Sequence, residues 1–425
     1  MPDKNRTDDR PGRNPDATVE ADVDAKVEAQ VEAIVVGRGP AALTAAIALA
    51  DAGLTTVLAG RRPPRSDNRT TALLASSITA LDNLGVWNLC ADKSAPLITM
   101  RLVDATGRLL RAPEVKFDAA EIGLDAFGYN IENPVLIDAL EQRATTLPRL
   151  RLIDDDVVAV EPDVDAVTVA LKGGERLSAS LVIGADGRQS LSRKAAGIAV
   201  DGRPYKQVAL TVCLQHTRPH RDTSTEFHTA SGPFTLVPLP GNRSSLVWVL
   251  RPHDADAIAD LSDEELALEI EQMARSILGK MTVEPGRALF PLSAQTARRF
   301  GADRIALVGE AAHVVPPIGA QGLNLGLRDA VTIAELAGAA RDDGRDIGGD
   351  DVLAAYEKAR RGDVTTRGMV IDIANRTLLS DFLPLQGLRG LGLFAMDKIG
   401  PLRRAVMREG IAPRFGRPRL MREIH

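Results

Sequence analysis

The sequence predicts an α/β protein. A Rossmann-like nucleotide-binding domain comes first, with a mixed-sheet domain inserted in it and a helical C-terminal segment. Two observations carry this. Three apolar runs, at 31–36, 181–184 and 305–308, each lead into a Gly-containing turn and then a helical pattern. Between the second and third, residues 200–294 alternate in the manner of strands.

Composition bounds the rest. At 425 residues the chain exceeds a single compact core, so two domains are expected. It is 44% hydrophobic and 26% charged with net charge −5, ordinary for a soluble globular protein and unsuited to nucleic acid as main partner. Cys90 and Cys213 make neither a disulfide framework nor a metal-ligand cluster, and no metal is expected. No stretch has the roughly 18 apolar residues of a spanning helix. Residues 1–30 are polar and charged, too poor in apolar surface to order, and read as a disordered tail. They lack the apolar region of a secretory signal, and Asp3, Asp8 and Asp9 weigh against a mitochondrial-type presequence.

The run at 31–36 opens into Gly37-Arg-Gly39-Pro-Ala-Ala42, with a helical pattern through Leu43 and Ile47. This is the dinucleotide-binding turn, Ala42 standing at the third glycine position. Gly37 allows the tight turn, Gly39 the approach of a pyrophosphate, and Ala42 close helix–strand packing. The second strand, 55–59, should end in a carboxylate that holds a ribose, but Gly60 stands there. A carboxylate added at Gly60 is expected to strengthen nucleotide binding. Residues 76–84 read as helix, and 98–103 and 108–113 as strands around a turn. Residues 130–144 read as helix and 151–180 as a meander. Leu181 to Gly184 runs into Ala-Asp186-Gly187, a strand ending in a turn. Residues 263–278 read as a helix within the inserted sheet. His216, His220, His228 and His253 show no metal-ligand spacing. Residues 305–308 are a buried strand, 309–321 a loop punctuated by Pro316, Pro317 and Gly319, and a helix follows from Gly322. That helix start presents unpaired N–H groups to a ligand bearing negative charge.

Gly309-Glu310-Ala-Ala-His with Pro316-Pro317-x-Gly319-x-x-Gly322-Leu323-Asn324 resembles the second flavin motif of the single-component FAD-dependent aromatic hydroxylases of the p-hydroxybenzoate hydroxylase fold. Within them it is most similar to the ubiquinone-biosynthesis hydroxylases. The resemblance covers about residues 31–410, and the motifs come in family order. It implies noncovalent FAD held by Gly37, Gly39, Ala42, Arg69, Asp186, Gly187, Gly309, Glu310, Gly319, Gly322, Leu323 and Asn324. Glu310 stands where the family usually has Asp, and Pro316, Pro317 and Gly319 lie beside the ring. His313 is given no proton-transfer role.

The resemblance also implies the reaction. NAD(P)H reduces the flavin, O2 forms a C4a-hydroperoxyflavin, and the ring of a polyprenylated phenol is hydroxylated in ubiquinone biosynthesis. A flavin-dependent prenyl-chain reductase and a non-catalytic member of a lipid-biosynthetic assembly are the alternatives. FAD binding is assigned to 31–96, 130–200 and 295–345, the substrate sheet to 97–129 and 201–294, and a helical region to 346–425. Residues 383–425 hold nine Lys/Arg against three Asp/Glu, beside Leu385, Leu388, Leu391, Phe394 and Ile399. Such a stretch suits an anionic membrane face. A cytoplasmic protein, peripheral at the inner face of a membrane and in contact with other biosynthetic enzymes, is the expectation.

Overall fold

The computed structural model describes residues 29–64, 69–106, 113–317, 319–379, 399–411 and 417–422. The expected tail lies outside them up to residue 28, while Ala29 and Gln30 are strand and pair with Leu177 and Ser178; the strand expected at 108–113 apart from its last residue and the apolar-basic stretch 383–398 also lie outside.

The described chain opens with β1 (Ala29–Val36), α1 (Pro40–Asp51), β2 (Thr56–Ala59), β3 (Thr70–Leu74) and α2 (Ala75–Asn83). Then come β4 (Thr99–Asp104), β5 (Gly128–Glu132), α3 (Asn133–Thr145) and β6 (Arg176–Gly184). The inserted region supplies β7 (Val200–His216), β8 (Thr223–His228), β9 (Pro233–Leu239), β10 (Arg243–Leu250), α4 (Pro252–Ala259), α5 (Asp263–Met273) and β11 (Ala288–Ala297). The chain ends through β12 (Ile305–Leu307), α6 (Gln321–Asp342), α7 (Asp350–Leu379) and α8 (Gly400–Ile411).

The first sheet is parallel at its centre. β1 lies between β6 and β2, and β12 flanks β6. Its strands are buried on both faces, with Ala33, Ile34 and Val35 fully covered, as helix-covered parallel strands require. The register matters most. Val36 pairs with Gly184, and Gly184 with Leu307, so three strands end in one row. The three turns noted in the sequence therefore leave from one edge, where open α/β sheets bind ligands.

The second sheet runs β11-β7-β10-β9-β8-β4. Its residues alternate as the period of two demands. Phe227, Phe234, Leu236, Leu246 and Trp248 form one buried face against Ala255 and Ile258 of α4 and Leu266 and Ile270 of α5. Edge-on rings tie this layer, with Phe227 and Trp248 at 5.7 and 5.3 Å from Phe234. The other face turns toward the first domain. A third small sheet, β3 and β5 with Ala95–Pro96, stands between them.

Three differences from the sequence reading stand out. Residues 130–132 are strand, because β5 pairs with β3, and the helix begins at Asn133 with Pro134 in its first turn. α5 stops at Met273, and Arg275 and Ser276 turn left-handed (φ 53° and 51°). α4, with Pro252 at its first position, has no strong periodic signal and was not foreseen.

Candidate active site

The three turns interlock. Gly37 (φ +121°) stands so close to the next turn that a Cβ there would lie 2.3 Å from the Ala185 carbonyl oxygen. Ala185 N–H in turn donates to the Val36 carbonyl at 2.9 Å. A Cβ on Gly326 of α6 would lie 3.2 Å from Gly309 Cα and 3.3 Å from Ala41 Cβ, which brings α6 against the start of α1. Gly37, Ala42, Asp186, Gly187, Gly309 and Glu310 thus gather at one edge.

Two helix starts are left open there. α1 has Gly39 as N-cap with no side-chain cap, and a Cβ on Gly39 would meet nothing within 4 Å. α6 starts from Ala320 in the left-handed region (φ 53°), again with no side-chain cap. Their first-turn N–H groups are unclaimed by capping side chains and face space, a geometry that binds anions. The residues fit a flavin dinucleotide: the α1 start for a pyrophosphate, the α6 start for the electron-rich ring edge.

Glu310, Pro317, Gly319, Gly322 and Leu323 line a cavity of about 490 Å³ beside the α6 start. Pro316 is buried behind it, and Gly319 has φ +66°. Asn324 does not open onto it. Its side-chain oxygen accepts from Leu74 N–H (2.9 Å) and its amide donates to the Ala72 and Ala320 carbonyls (2.8 and 2.6 Å), pinning β3 to the α6 start. Asp186 accepts from Ser190 and Ser192 side chains and the Ser192 N–H, and so braces its own turn. Exposed Arg69 lies over the Phe290 ring at 5.7 Å.

Gly60 requires a correction. A Cβ there would fall 2.7 Å from the Gly37 carbonyl carbon, so no side chain fits. The absent ribose carboxylate is a packing requirement of the two glycines, and adding one is not a gain. The carboxylate beside this turn is Glu141 of α3, which accepts from Arg38 at 3.0 Å and pairs with Arg62 at 3.0 Å. Gly60→Glu is now expected to lower both melting temperature and FAD affinity. Glu310→Ala should weaken FAD about ten- to a hundredfold, the worth of one hydrogen bond to a charged group. Calorimetric titration with FAD checks both.

The opposite cavity wall was not foreseen residue by residue. Met100, Leu102, Ser224, Glu226, Thr235, Val237, Ser245 and Val247 of the second sheet face it, with Thr70, Thr71 and Asn130 from the small sheet. Asn130 donates to the Pro238 carbonyl (2.9 Å) and Ser245 (3.1 Å), and Thr70 to Ser245 (2.8 Å), which fixes the two walls together. Alternation within 224–226 and 245–247 marks these residues as one face, but only tertiary structure says which side faces the cavity.

Behind the loop lies a buried charge cluster. Asp329 accepts from Gly309 N–H (3.0 Å), His313 Nε2 (2.6 Å) and Arg360 Nε (2.7 Å). Asp363 accepts from Arg328 (2.6 Å), Arg360 (2.8 Å) and Arg367 (2.7 Å), and Arg367 donates to Gln321 at 3.0 Å. His313, 2% exposed, belongs to this framework.

The FAD binding domain family matches residues 30–367. Ubiquinone hydroxylase UbiL of Rhodospirillum rubrum is 35% identical over 401 residues, 92% of each chain. The 3-demethoxyubiquinol 3-hydroxylase of Escherichia coli is 31% identical over 383 residues, 88% of this chain and 96% of its own. In fold the chain is similar to p-nitrophenol 4-monooxygenase PnpA of Pseudomonas putida (TM-score 0.73, 21% identity), across 91% of this chain and 99% of that one.

Proposed function

The chain belongs to the FAD-binding family of single-component flavin monooxygenases, and from that premise we propose that it hydroxylates the ring of a polyprenylated phenol in ubiquinone biosynthesis, with NAD(P)H and O2 as co-substrates. The carrying observation is the cavity, bounded on one side by the uncapped α6 start and Glu310 and on the other by a sheet face of apolar and hydroxyl side chains. Bound FAD supplies the redox and oxygen-activating chemistry. The residues of the chain hold it, exclude water and orient the ring. The loops of the first sheet hold the cofactor in this reading, and the second sheet holds the substrate. Packing against Gly37 accounts for the glycine at position 60, which gives no support to a non-catalytic relative. The test is reconstitution with FAD, followed by NAD(P)H consumption and product formation from a short-chain demethoxyubiquinol analogue. Absence of flavin absorbance after reconstitution, or NAD(P)H oxidation without any hydroxylated product, would overturn the reading.

No described helix is long and apolar enough to cross a membrane. Contact with a membrane face is part of the proposal, because a polyprenyl chain resides in the bilayer. The support is α8 and the residue before it: Ile399, Leu402 and Val406 are 49%, 43% and 48% exposed at helical spacing. Arg404 and Arg408 flank them, whereas Arg403 is engaged with Glu121 at 2.8 Å. Each free cation contributes on the order of 1 kcal/mol at an anionic surface. Co-sedimentation with anionic vesicles should fall several-fold for Arg404→Gln/Arg408→Gln and hardly change for neutral vesicles. Assembly with other biosynthetic enzymes would use the same or a neighbouring face.

A further inference from the structure

The geometry points to Glu226, oriented by His228, as the group that accepts the hydroxyl proton of the phenol during ring hydroxylation; this rests on the cavity being the phenol site.

Within the sheet wall of the cavity, Glu226 is the one carboxylate among the described lining residues of β8, β9 and β10; its neighbours there are Ser224, Thr235, Val237, Ser245 and Val247. Such a face hydrates an ionised group poorly, so an unneeded carboxylate would be disfavoured there. Glu226 is nonetheless held. His228, two residues on and so on the same face of β8, places Nε2 2.9 Å from Oε1, and Thr235 on β9 donates to Oε2 at 3.3 Å. His228 is buried, at 9% exposure. A base reaching a cavity with a second titratable group orienting it from behind is the recurring arrangement of proton-transfer sites. Arg101 on β4 lines the same cavity and is paired with Glu114 at 2.7 Å, and Asp104, in register with His228, is bonded to Thr106. Glu310 lies on the opposite wall.

The chemistry needs such a base. A phenol ionises near 10, as tyrosine does, so about one molecule in a thousand is phenolate at neutral pH. As an electrophilic oxygen bonds to the ring, the phenolic oxygen becomes strongly acidic. The O–H bond breaks, its electron pair stays on the oxygen, and the proton forms an O–H bond on Glu226. The ring carbon that took the oxygen then loses its own proton to water, and as the ring becomes aromatic again Glu226 returns its proton to the phenolic oxygen. No further oxidant or reductant enters this step. General-base help of this kind is worth about a hundredfold or more.

Two measurements on FAD-loaded protein test the assignment. The first involves no turnover: 2-methoxyphenol and its methyl ether, 1,2-dimethoxybenzene, are titrated against the oxidised flavin spectrum. Wild type should prefer the phenol about ten- to a hundredfold, the effect of a hydrogen bond to a charged acceptor. Glu226→Leu should bind both alike, Glu226→Gln should retain a small preference, and His228→Asn should fall between Gln and wild type. The second is product formed per NAD(P)H consumed, which should drop about a hundredfold in Glu226→Gln with the flavin spectrum unchanged. Glu226→Asp should restore part of it. Equal phenol preference in wild type and Glu226→Gln, with unchanged coupling, would overturn the role of Glu226 and leave the cavity reading standing. Failure of wild type to bind either probe would overturn the cavity reading and this assignment with it.

Discussion

Asp329→Ala is expected to destabilise the protein by about 3–5 kcal/mol, the usual cost of removing one partner from a buried charge pair. The substitution leaves His313 and Arg360, both almost fully buried, without the carboxylate that they share. Arg360 keeps Asp363 at 2.8 Å, which places the loss below complete unfolding. Gly309 N–H also loses its acceptor, so the turn that presents Glu310 loosens and FAD should bind more weakly. The pH dependence has a definite sign. Burial opposes ionisation of Asp329, but the charges of His313 and Arg360 outweigh it and hold the carboxyl below its ordinary range. A depressed folded pKa stabilises above the unfolded value near 3.9, and that stabilisation is lost as pH falls through the folded value. Urea unfolding should therefore show a difference between wild type and Asp329→Ala that is present near pH 5 and shrinks in strong acid. An equal difference at all pH values would show that the carboxyl titrates alike in the folded and unfolded chains, and a difference that shrinks as pH rises would show it protonated in the native state.

Gly39→Leu should abolish FAD binding while leaving the fold intact, and Gly37→Ala should do the reverse damage first. The two glycines sit two residues apart with opposite surroundings. A side chain at position 39 enters open space, so the stability loss should stay within about 1 kcal/mol, the cost of a poorer helix cap. That space is where a pyrophosphate must approach the α1 start. Filling it removes several charge-assisted hydrogen bonds of about 1.5–3 kcal/mol each, so affinity should fall by about two orders of magnitude or more. At position 37 the first added carbon meets the Ala185 oxygen at 2.3 Å on a backbone already at φ +121°, and the sheet edge must shift. Thermal melts of the apo proteins and FAD titration separate the two effects. Retained FAD binding in Gly39→Leu would place the pyrophosphate elsewhere.

The sequence alone determined the parts whose cause is local. Val36-Gly37, Gly184-Ala185 and Leu307-Val308-Gly309 announce strand ends because a buried apolar run followed by glycine has few other conformations. The uncapped α1 start and the carboxylate Glu310 likewise come from residues adjacent in the chain. Where the cause lies far along the chain, the reading failed or stayed silent. Gly60 read as a lost carboxylate, but Gly37, 23 positions earlier, forbids any side chain there. On Asn324 the sequence was silent about Ala72 and Leu74, some 250 positions away, which bond its side-chain amide. Residues 130–132 read as helix until β3 paired with them. Glu226 was one polar residue in an alternating strand, and period two tells that Ser224 and Glu226 share a face without telling which face meets the cavity. That choice was made by the aromatic layer of Phe227, Phe234 and Trp248. Burying those rings against α4 and α5 leaves the glutamate no side but the one turned toward the cavity.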